Sequence, residues 1–378
     1  MTSKVTQAEV SLDAIARNFE RIRERVGRRV HVMGVVKADA YGHGALPVAR
    51  ALVEAGASCL GVALPEEGVS LRRQGVTVPI LVMGPTPPDH GSVLLEYRLD
   101  QMVYHPLHAR ALSESGGDSG ARLRVHLKVD TGMGRLGIPP SEAPAAARAI
   151  VQMPRLEFAG IMTHFAAADA LDQGHARLQQ QRFLEAVREI EAAGVTVPLR
   201  HAANSAALLA LPETHLDMVR PGIALYGYPP VPAGPQGSWE PALTFTTRIA
   251  QIKKVLKGGT VSYGCTYEAP QDIQVATLPL GYADGYNRLL SNRGEVLIGG
   301  RRAPVVGQVC MDMIMVDVTE VPGVHEGQEV VLLGRQGDEV LWADAWAARL
   351  GTIPYEVLCN ISKRVPRSYL RHGKPITP

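Results

Sequence analysis

VHVMGVVK, residues 30–37, is an apolar β-rich run that closes on a lysine and is followed at once by ADAYGHG, residues 38–44. Short runs of this kind, bounded by turn residues, read as strands. Seven more follow: SCLGVA (58–63), VPILVMG (78–84), QMVY (101–104), RLRVHLKV (122–129), LEFAGIMT (156–163), LRHAA (199–203) and HLDMVR (215–220). Ahead of the first, Leu12, Ile15, Phe19, Ile22 and Val26 recur at helical spacing. Most segments between the runs read as helices, with Pro47 and Pro65 as start signals and Gly56, Gly75 and Gly194 as stops. Eight strands alternating with helices predict an α/β fold, a parallel (β/α)8 TIM barrel. Its chemistry belongs at the C-terminal ends of the strands.

From about residue 240 the pattern changes to LTFTTRIAQIKKVL (243–256), GEVLIGGRRAPVVGQVCMDMIMVDV (294–318) and QEVVLLG (328–334), with one clear helix near WADAWAARLG (342–351). Glycine-rich turns between such runs predict a mostly antiparallel β domain. The Pro/Gly-rich stretch PPVPAGPQGSWEP (229–241) reads as a linker. The expected domains are therefore a barrel over residues 10–240 and a β domain over 241–378, with residues 1–9 as candidates to pair with the latter.

The 378 residues exceed one typical domain, and 46% hydrophobic with 20% charged residues is the composition of an ordered globular chain. Thirty-nine basic against 37 acidic residues, without long like-charge blocks, give no reason to expect a nucleic-acid or membrane partner. The cluster Lys253, Lys254 and Lys257 reads as a solvated strand edge. Cys59, Cys265, Cys310 and Cys359 are widely spaced, which argues against a metal site or disulfide scaffold and fits reduced thiols in a cytoplasm. The first residues carry no apolar leader, and no run approaches a membrane span.

Lys37 is one of only eight lysines against 31 arginines, and it ends an apolar run. A desolvated lysine loses preference for its charged form, as Schiff-base chemistry requires. In barrels of this type, the loops after the seventh and eighth strands commonly hold phosphate. Here they carry Asn204 and Ser205, then Pro221, Gly222 and Ile223. Ser205 opens an apparent helix, whose N-terminus favours an anion, and Gly222 lets backbone donors approach closely. A phosphorylated cofactor fits. Ser205 lacks the GxSxG context of a hydrolase nucleophile. In RLRVHLKV the polar residues Arg124, His126 and Lys128 share one parity, which places them inside the barrel. For Arg124 and His126 a satisfied polar layer is the preferred reading.

The chain resembles the alanine racemases, a family dependent on pyridoxal 5'-phosphate (PLP) with a barrel and a C-terminal β domain. The resemblance runs from about residue 9 to 370 through VVKADAYGHG (35–44), HLKVDTGMGRLG (126–137), THFAAAD (163–169), HAANSAA (201–207), VRPGIALYG (219–227), VSYGCTY (261–267), LPLGYADGY (278–286), VGQVCMD (306–312) and IPYEVLC (353–359). It implies that Lys37 holds the cofactor aldehyde, that Tyr41, Ser205, Gly222, Ile223 and Tyr355 bind its phosphate, and that His164 lies near its ring. Arg220 would face the pyridine nitrogen. An arginine there donates a hydrogen bond without protonating the ring, so the ring is a poorer electron sink and racemisation is favoured over transamination.

Lys37 and Tyr263 would be the two bases that racemisation needs on opposite faces of Cα. In the family the tyrosine comes from the partner subunit, which implies a homodimer with shared active sites. Using a tyrosine as base near pH 7 costs about 4 kcal/mol, an amount that a nearby fixed cation can supply. Arg135, or Arg220 with His164, would be that cation. The resemblance further suggests a carbamylated Lys128 positioning Arg135, with Arg135 as a substrate-binding anchor near substrate and cofactor, and the Met311 backbone N–H binding the substrate carboxylate on a loop supported by Asp312. Asp169, Tyr282, Arg288 and Ile353 would line a narrow gate that selects small substrates. Gln308 stands where some relatives carry arginine, which bears on substrate range.

The implied activity is interconversion of L- and D-alanine, an isomerase reaction supplying D-alanine for peptidoglycan. Alternatives are a racemase of broader or serine specificity and a PLP-dependent amino-acid decarboxylase of the same fold. A decarboxylase would place an acid at the ring nitrogen, where Arg220 stands; Cys310 resembles a cysteine such enzymes use, but Met311 and Asp312 match the racemases. A PLP carrier built from a barrel alone would need neither the β domain nor Tyr263.

Overall fold

The computed structural model describes residues 5–117, 120–232 and 238–376. Residues 233–237 of the expected linker, and residues 1–4 of the segment expected to pair with the β domain, lie outside the described residues. The chain divides into two compact units. Ile15–Ala40 with Ala45–Glu240 form one, while the N-terminal segment, Tyr41–Gly44 and the chain from Pro241 onward form the other.

The first unit is a closed barrel of eight strands. After the N-terminal strand β1 (Gln7–Ser11), the barrel strands are β2 (His31–Val35), β3 (Cys59–Val62), β4 (Ile80–Val82), β5 (Asp100–Val103), β6 (Leu123–Lys128), β7 (Leu156–Met162), β8 (Arg200–His201) and β9 (Met218–Val219). Every neighbouring pair is parallel, and the ring closes where His31 and Val32 pair with Met218 and Val219. Helices alternate with the strands. The helix Leu12–Val26 precedes β2, with Leu12, Ile15, Phe19, Ile22 and Val26 all buried. The Ser11 hydroxyl caps its first turn by accepting from the Ala14 amide at 3.1 Å. The eight runs read from the sequence thus each overlap a barrel strand, although β5 begins one residue before its run, at Asp100, and β8 and β9 are only two residues long.

One reading is corrected here. Lys37 does not close the first strand, which ends at Val35. It opens a turn in which Ala38, Asp39, Ala40 and Tyr41 take left-handed φ of 53°, 54°, 53° and 55°. Four consecutive non-glycine residues there cost about 1–2 kcal/mol each. No apolar periodicity reveals such a turn in advance.

The second unit is built mainly on an eight-stranded sheet with β1 among its inner strands. β1 pairs antiparallel with Leu243–Arg248 and parallel with Arg367–Arg371, and the remaining ladders of this sheet are antiparallel. Gln251–Val255, Ile273–Leu278 and Ile314–Asp317 form a smaller antiparallel sheet. Its edge strand carries Lys253 and Lys254 in solvent, with Lys254 paired to Asp272 at 2.7 Å. Beside the expected helix, found at Ala343–Leu350, a second one spans Pro354–Cys359. At six residues it is too short to display a helical period, and only the proline at its first turn announces it.

Candidate active site

The barrel rim after β2 is held by a carboxylate that sequence reading missed. Glu67 Oε1 accepts from the Ala38 amide at 2.6 Å, and its Oε2 accepts from Ala63 at 2.8 Å and Leu64 at 3.2 Å. Glu67 lies in the first turn of the helix Pro65–Arg73, where a carboxylate also suits the helix dipole. Asp39 Oδ1 accepts from the Ala45 amide at 2.7 Å, and Ala40 N–H donates to the Val36 carbonyl at 2.9 Å. These bonds offset the left-handed strain and present Lys37, half-buried, at the rim.

Arg220, just past β9, is 4% exposed and is the hub of the interior. Its Nη2 donates to the carbonyls of Thr163 at 2.7 Å and Ala202 at 2.9 Å and reaches His164 Nδ1 at 3.4 Å, while Nη1 donates to His201 Nδ1 at 2.9 Å. Burial lowers its pKa to about 10. The His164 pKa is held well below the ordinary range by burial and then by Arg220, Lys128, Arg135 and Lys37. Lys128 is likewise depressed, by burial first and then by Arg220 and Arg135, and its Nζ has no hydrogen-bond partner among the described residues. Lys37, Arg135 and Arg220 give this end of the barrel its positive charge.

Ser205 joins the two loops expected to hold phosphate. Its Oγ accepts from the Gly222 amide at 2.9 Å and the Ala224 amide at 3.4 Å, and Ile223 opens the short turn beyond. Asn204 caps the helix Ser205–Ala210 by accepting from the Ala207 amide at 2.9 Å. Tyr226 returns to the first barrel strand, its hydroxyl donating to the Val35 carbonyl at 2.9 Å.

Arg135 is exposed on a loop braced by Asp130, whose Oδ1 accepts from the amides of Gly132, Met133 and Gly134 at 3.0, 2.8 and 3.1 Å. Burial raises the Asp130 pKa, but those amides and Lys128 together hold it below the usual carboxylate range. Gly137 closes the loop at φ 129°, where a Cβ would stand 2.6 Å from the Asp130 nitrogen. Asp169 is exposed beyond β7.

In the second unit, buried Tyr41 lies against Tyr355, ring centroids 5.9 Å apart. Burial, then Tyr355 and Cys359, push its phenol far up. Tyr263 is 73% exposed on a turn whose preceding residue, Ser262, has φ 70° and donates from Oγ to the Gln308 carbonyl at 2.8 Å. Exposed Met311 sits where Tyr282 and Ala283 amides donate to the carbonyls of Cys310 and Met311 at 3.0 and 3.1 Å. Gly281 permits this approach, since a Cβ there would stand 2.1 Å from the Cys310 oxygen. Arg364 pairs with Asp312 at 2.7 Å and Asp284 at 3.0 Å. Tyr282 and Arg288 line one cavity of about 320 Å³ with Thr352 and Glu356. Ile353 is exposed at the start of the helix Pro354–Cys359. Gln308 Nε2 donates to Thr266 Oγ1 at 3.2 Å.

The donor set on the barrel consists of Lys37, Arg220, Lys128 and Arg135 with serine-linked loop amides, and the nearby Asp130 is committed to its own loop. Such a set suits an anionic, phosphorylated carbonyl compound. Known proteins agree with that reading. Residues 10–230 match the family model "Alanine racemase, N-terminal domain" and residues 242–369 match "Alanine racemase, C-terminal domain". The chain belongs to the alanine racemase family. An alanine racemase of Symbiobacterium thermophilum is 48% identical over 368 residues, covering 96% of this chain and 97% of its own. Among solved structures, an alanine racemase of Clostridium difficile 630 superposes with a TM-score of 0.93 at 35% identity, covering 100% of this chain and 98% of its own. One from Bacillus anthracis with bound L-Ala-P gives 0.92 at 38%, with the same coverage. As a member of the alanine racemase family the chain is an isomerase, and its cofactor is PLP.

His201 and Glu67 are the side chains that sequence reading left without a role. His201 lies in HAANSAA, but a two-residue strand shows no alternation, and Glu67 has only the signature of an ordinary first-turn acid. Glu67→Ala is expected to lower stability by about 1–3 kcal/mol, since it leaves turn amides unpaired. Glu67→Gln, which keeps an acceptor, should recover part of that loss in urea titrations. An unchanged midpoint in the alanine variant would contradict the role.

Proposed function

We propose that the chain interconverts L- and D-alanine, with Lys37 and Tyr263 as the two bases. The observation that carries this reading is the environment of Arg220. Its described partners are carbonyl oxygens and imidazole nitrogens, so it remains a donor and cannot act as an acid partner to a ring nitrogen. When bound, PLP supplies a carbonyl that condenses with amines and a conjugated ring that eases loss of the Cα proton. Lys37 would hold it covalently. Ser205 with the Gly222 and Ile223 amides, and Tyr41 with Tyr355, would bind the phosphate; His164 and Arg220 would border the ring.

Once the substrate's amino group has replaced it on the cofactor, Lys37 Nζ would be a free amine able to exchange the Cα proton on one face, and the Tyr263 hydroxyl would exchange it on the other. As the family resemblance implies, the tyrosine would come from the other subunit of a homodimer, with the partner subunit's Tyr263 completing each site. Arg135 and the Met311 N–H bind the substrate carboxylate. Lys128 Nζ, buried with a depressed pKa, is available as a free amine for carbamylation, which would place an anion beside Arg135. Asp169, Tyr282, Arg288 and Ile353 form the gate, and its narrowness selects alanine. The barrel of residues 10–240 would supply most of the cofactor site and Asp169 of the gate, and the domain of residues 241–378 would supply Tyr355, the second base and the rest of the gate. The setting is cytoplasmic, with D-alanine destined for peptidoglycan.

The test is incubation of the PLP-loaded protein with L-alanine, L-serine and L-lysine in D₂O, following optical rotation, deuterium at Cα and CO₂ release. Racemisation of alanine without CO₂ is expected; CO₂ without racemisation would overturn the reading. Lys37→Ala should abolish the borohydride-reducible yellow chromophore, and a surviving reducible imine would refute that assignment. Tyr263→Phe should slow exchange from the L-enantiomer more than from the D-enantiomer, whereas equal losses would count against two bases. Labelled bicarbonate should give a carbamate carbon resonance that disappears in Lys128→Ala; its absence from the parent protein would remove the carbamate.

A further inference from the structure

Two histidines inside the barrel extend the Arg220 hub away from the cofactor side. His126 on β6 and His201 on β8 are 3% and 0% exposed. His126 Nδ1 lies 2.9 Å from His201 Nε2, with the rings edge to face. His201 Nδ1 meets Arg220 Nη1 at 2.9 Å. At the other end, His126 Nε2 faces Asp100 Oδ2 on β5 at 3.8 Å. Asp100 is in turn held by Arg124 at 3.3 Å, and Arg124 also pairs with Glu157.

The hydrogens along this chain can be assigned by donor capacity alone. A guanidinium only donates, so His201 Nδ1 must be bare and its hydrogen must sit on Nε2. His126 Nδ1 then has to accept, which leaves the His126 hydrogen on Nε2, facing Asp100. A carboxylate only accepts, so the far end closes the same polarity. Donation runs in one direction, from Arg220 to His201 and from His201 to His126, and it leaves the His126 Nε2–H facing Asp100 at 3.8 Å, beyond direct hydrogen-bond distance. Burial, followed by the charge of Arg220, keeps His201 far below its ordinary pKa, which disfavours a second proton.

The backbone makes room for this arrangement. The β6–β7 register shifts between Val125 and His126, and His126 pairs with Gly160. A Cβ at Gly160 would stand 2.8 Å from His126 Nδ1 and 2.6 Å from the Leu199 carbonyl oxygen. The bulge and the missing side chain together form the slot in which the imidazole stands on edge.

We propose that His126 and Asp100 are positioning residues for racemisation: they hold His201 in the one tautomer that accepts from Arg220, and so fix the orientation of the guanidinium. This rests on the reading that Arg220 borders the cofactor ring. In the other tautomer, His201 would turn an N–H against Arg220, donor against donor. His126 excludes that state because its Nδ1 offers the Nε2–H of His201 an acceptor.

The test uses full-length protein labelled with nitrogen-15 in histidine, with and without PLP. Resonances of His126 and His201, assigned through bonds from the backbone in parent protein labelled also with carbon-13, are expected to show bare Nδ1 and protonated Nε2 in both rings in both forms. A protonated Nδ1 on either ring would overturn the relay, and this readout stands even if a variant fails to fold. In the PLP-loaded enzyme, His126→Leu should lower kcat about tenfold with KM nearly unchanged, as expected for one buried N–H left unpaired. His126→Asn, whose amide oxygen can stand near the position of Nδ1, should recover most of the loss. Equal losses in the two variants, or none in either, would reject a positioning role. Failure of the Arg220 reading is separately visible: Arg220→Lys would then leave the absorbance of bound PLP unchanged while the nitrogen resonances of the parent protein still show the predicted tautomers.

Discussion

A guanidinium in the barrel interior is the constraint on which the rest of the site depends. Removing such a cation from water is costly unless its donors are met. A carboxylate would be the usual answer, yet Arg220 is met by two carbonyl oxygens and two imidazoles. Its charge is therefore solvated but not cancelled. That residual charge reaches outward to His164 and Lys128, both held well below their ordinary pKa values by burial first and then by Arg220. The carbonyls come from Thr163 and Ala202, just beyond β7 and at the end of β8, so the guanidinium also ties three successive strand ends together.

An uncancelled cation has a chemical consequence. Beside a ring nitrogen, an acid would hand over a proton and deepen the electron sink, whereas a guanidinium that keeps its hydrogens can only donate a hydrogen bond. The proposed chemistry is matched to that limit, because proton exchange at Cα asks less of the ring than reactions that drain electrons into it. The same excess of positive charge suits a phosphorylated cofactor, and the amides of Gly222 and Ala224, gathered on Ser205, sit in the loop where such an anion would be received.

Much of this was legible in the residues. Eight apolar runs located the eight barrel strands because each is buried and bounded by turn residues, and Asn204 announced its cap by residue type. Lys37 stood out in the sequence, but its position was misjudged. It belongs to a left-handed turn whose existence depends on Glu67, distant in sequence, and no local pattern encodes that pairing. His126 was read as part of a satisfied polar layer. Its alternation with apolar neighbours was visible, but its partners lie on β8 and β5, and pairing across a barrel interior follows from closure of the ring rather than from spacing. The short helix Pro354–Cys359 escaped notice because six residues cannot show a period.

The most direct test of the central claim is the protonation state of the cofactor ring nitrogen that the proposal sets opposite Arg220. With PLP labelled by nitrogen-15 in its ring and bound to the full-length enzyme, the account predicts the resonance of an unprotonated nitrogen that accepts a hydrogen bond. The resonance of a protonated pyridinium nitrogen would contradict it.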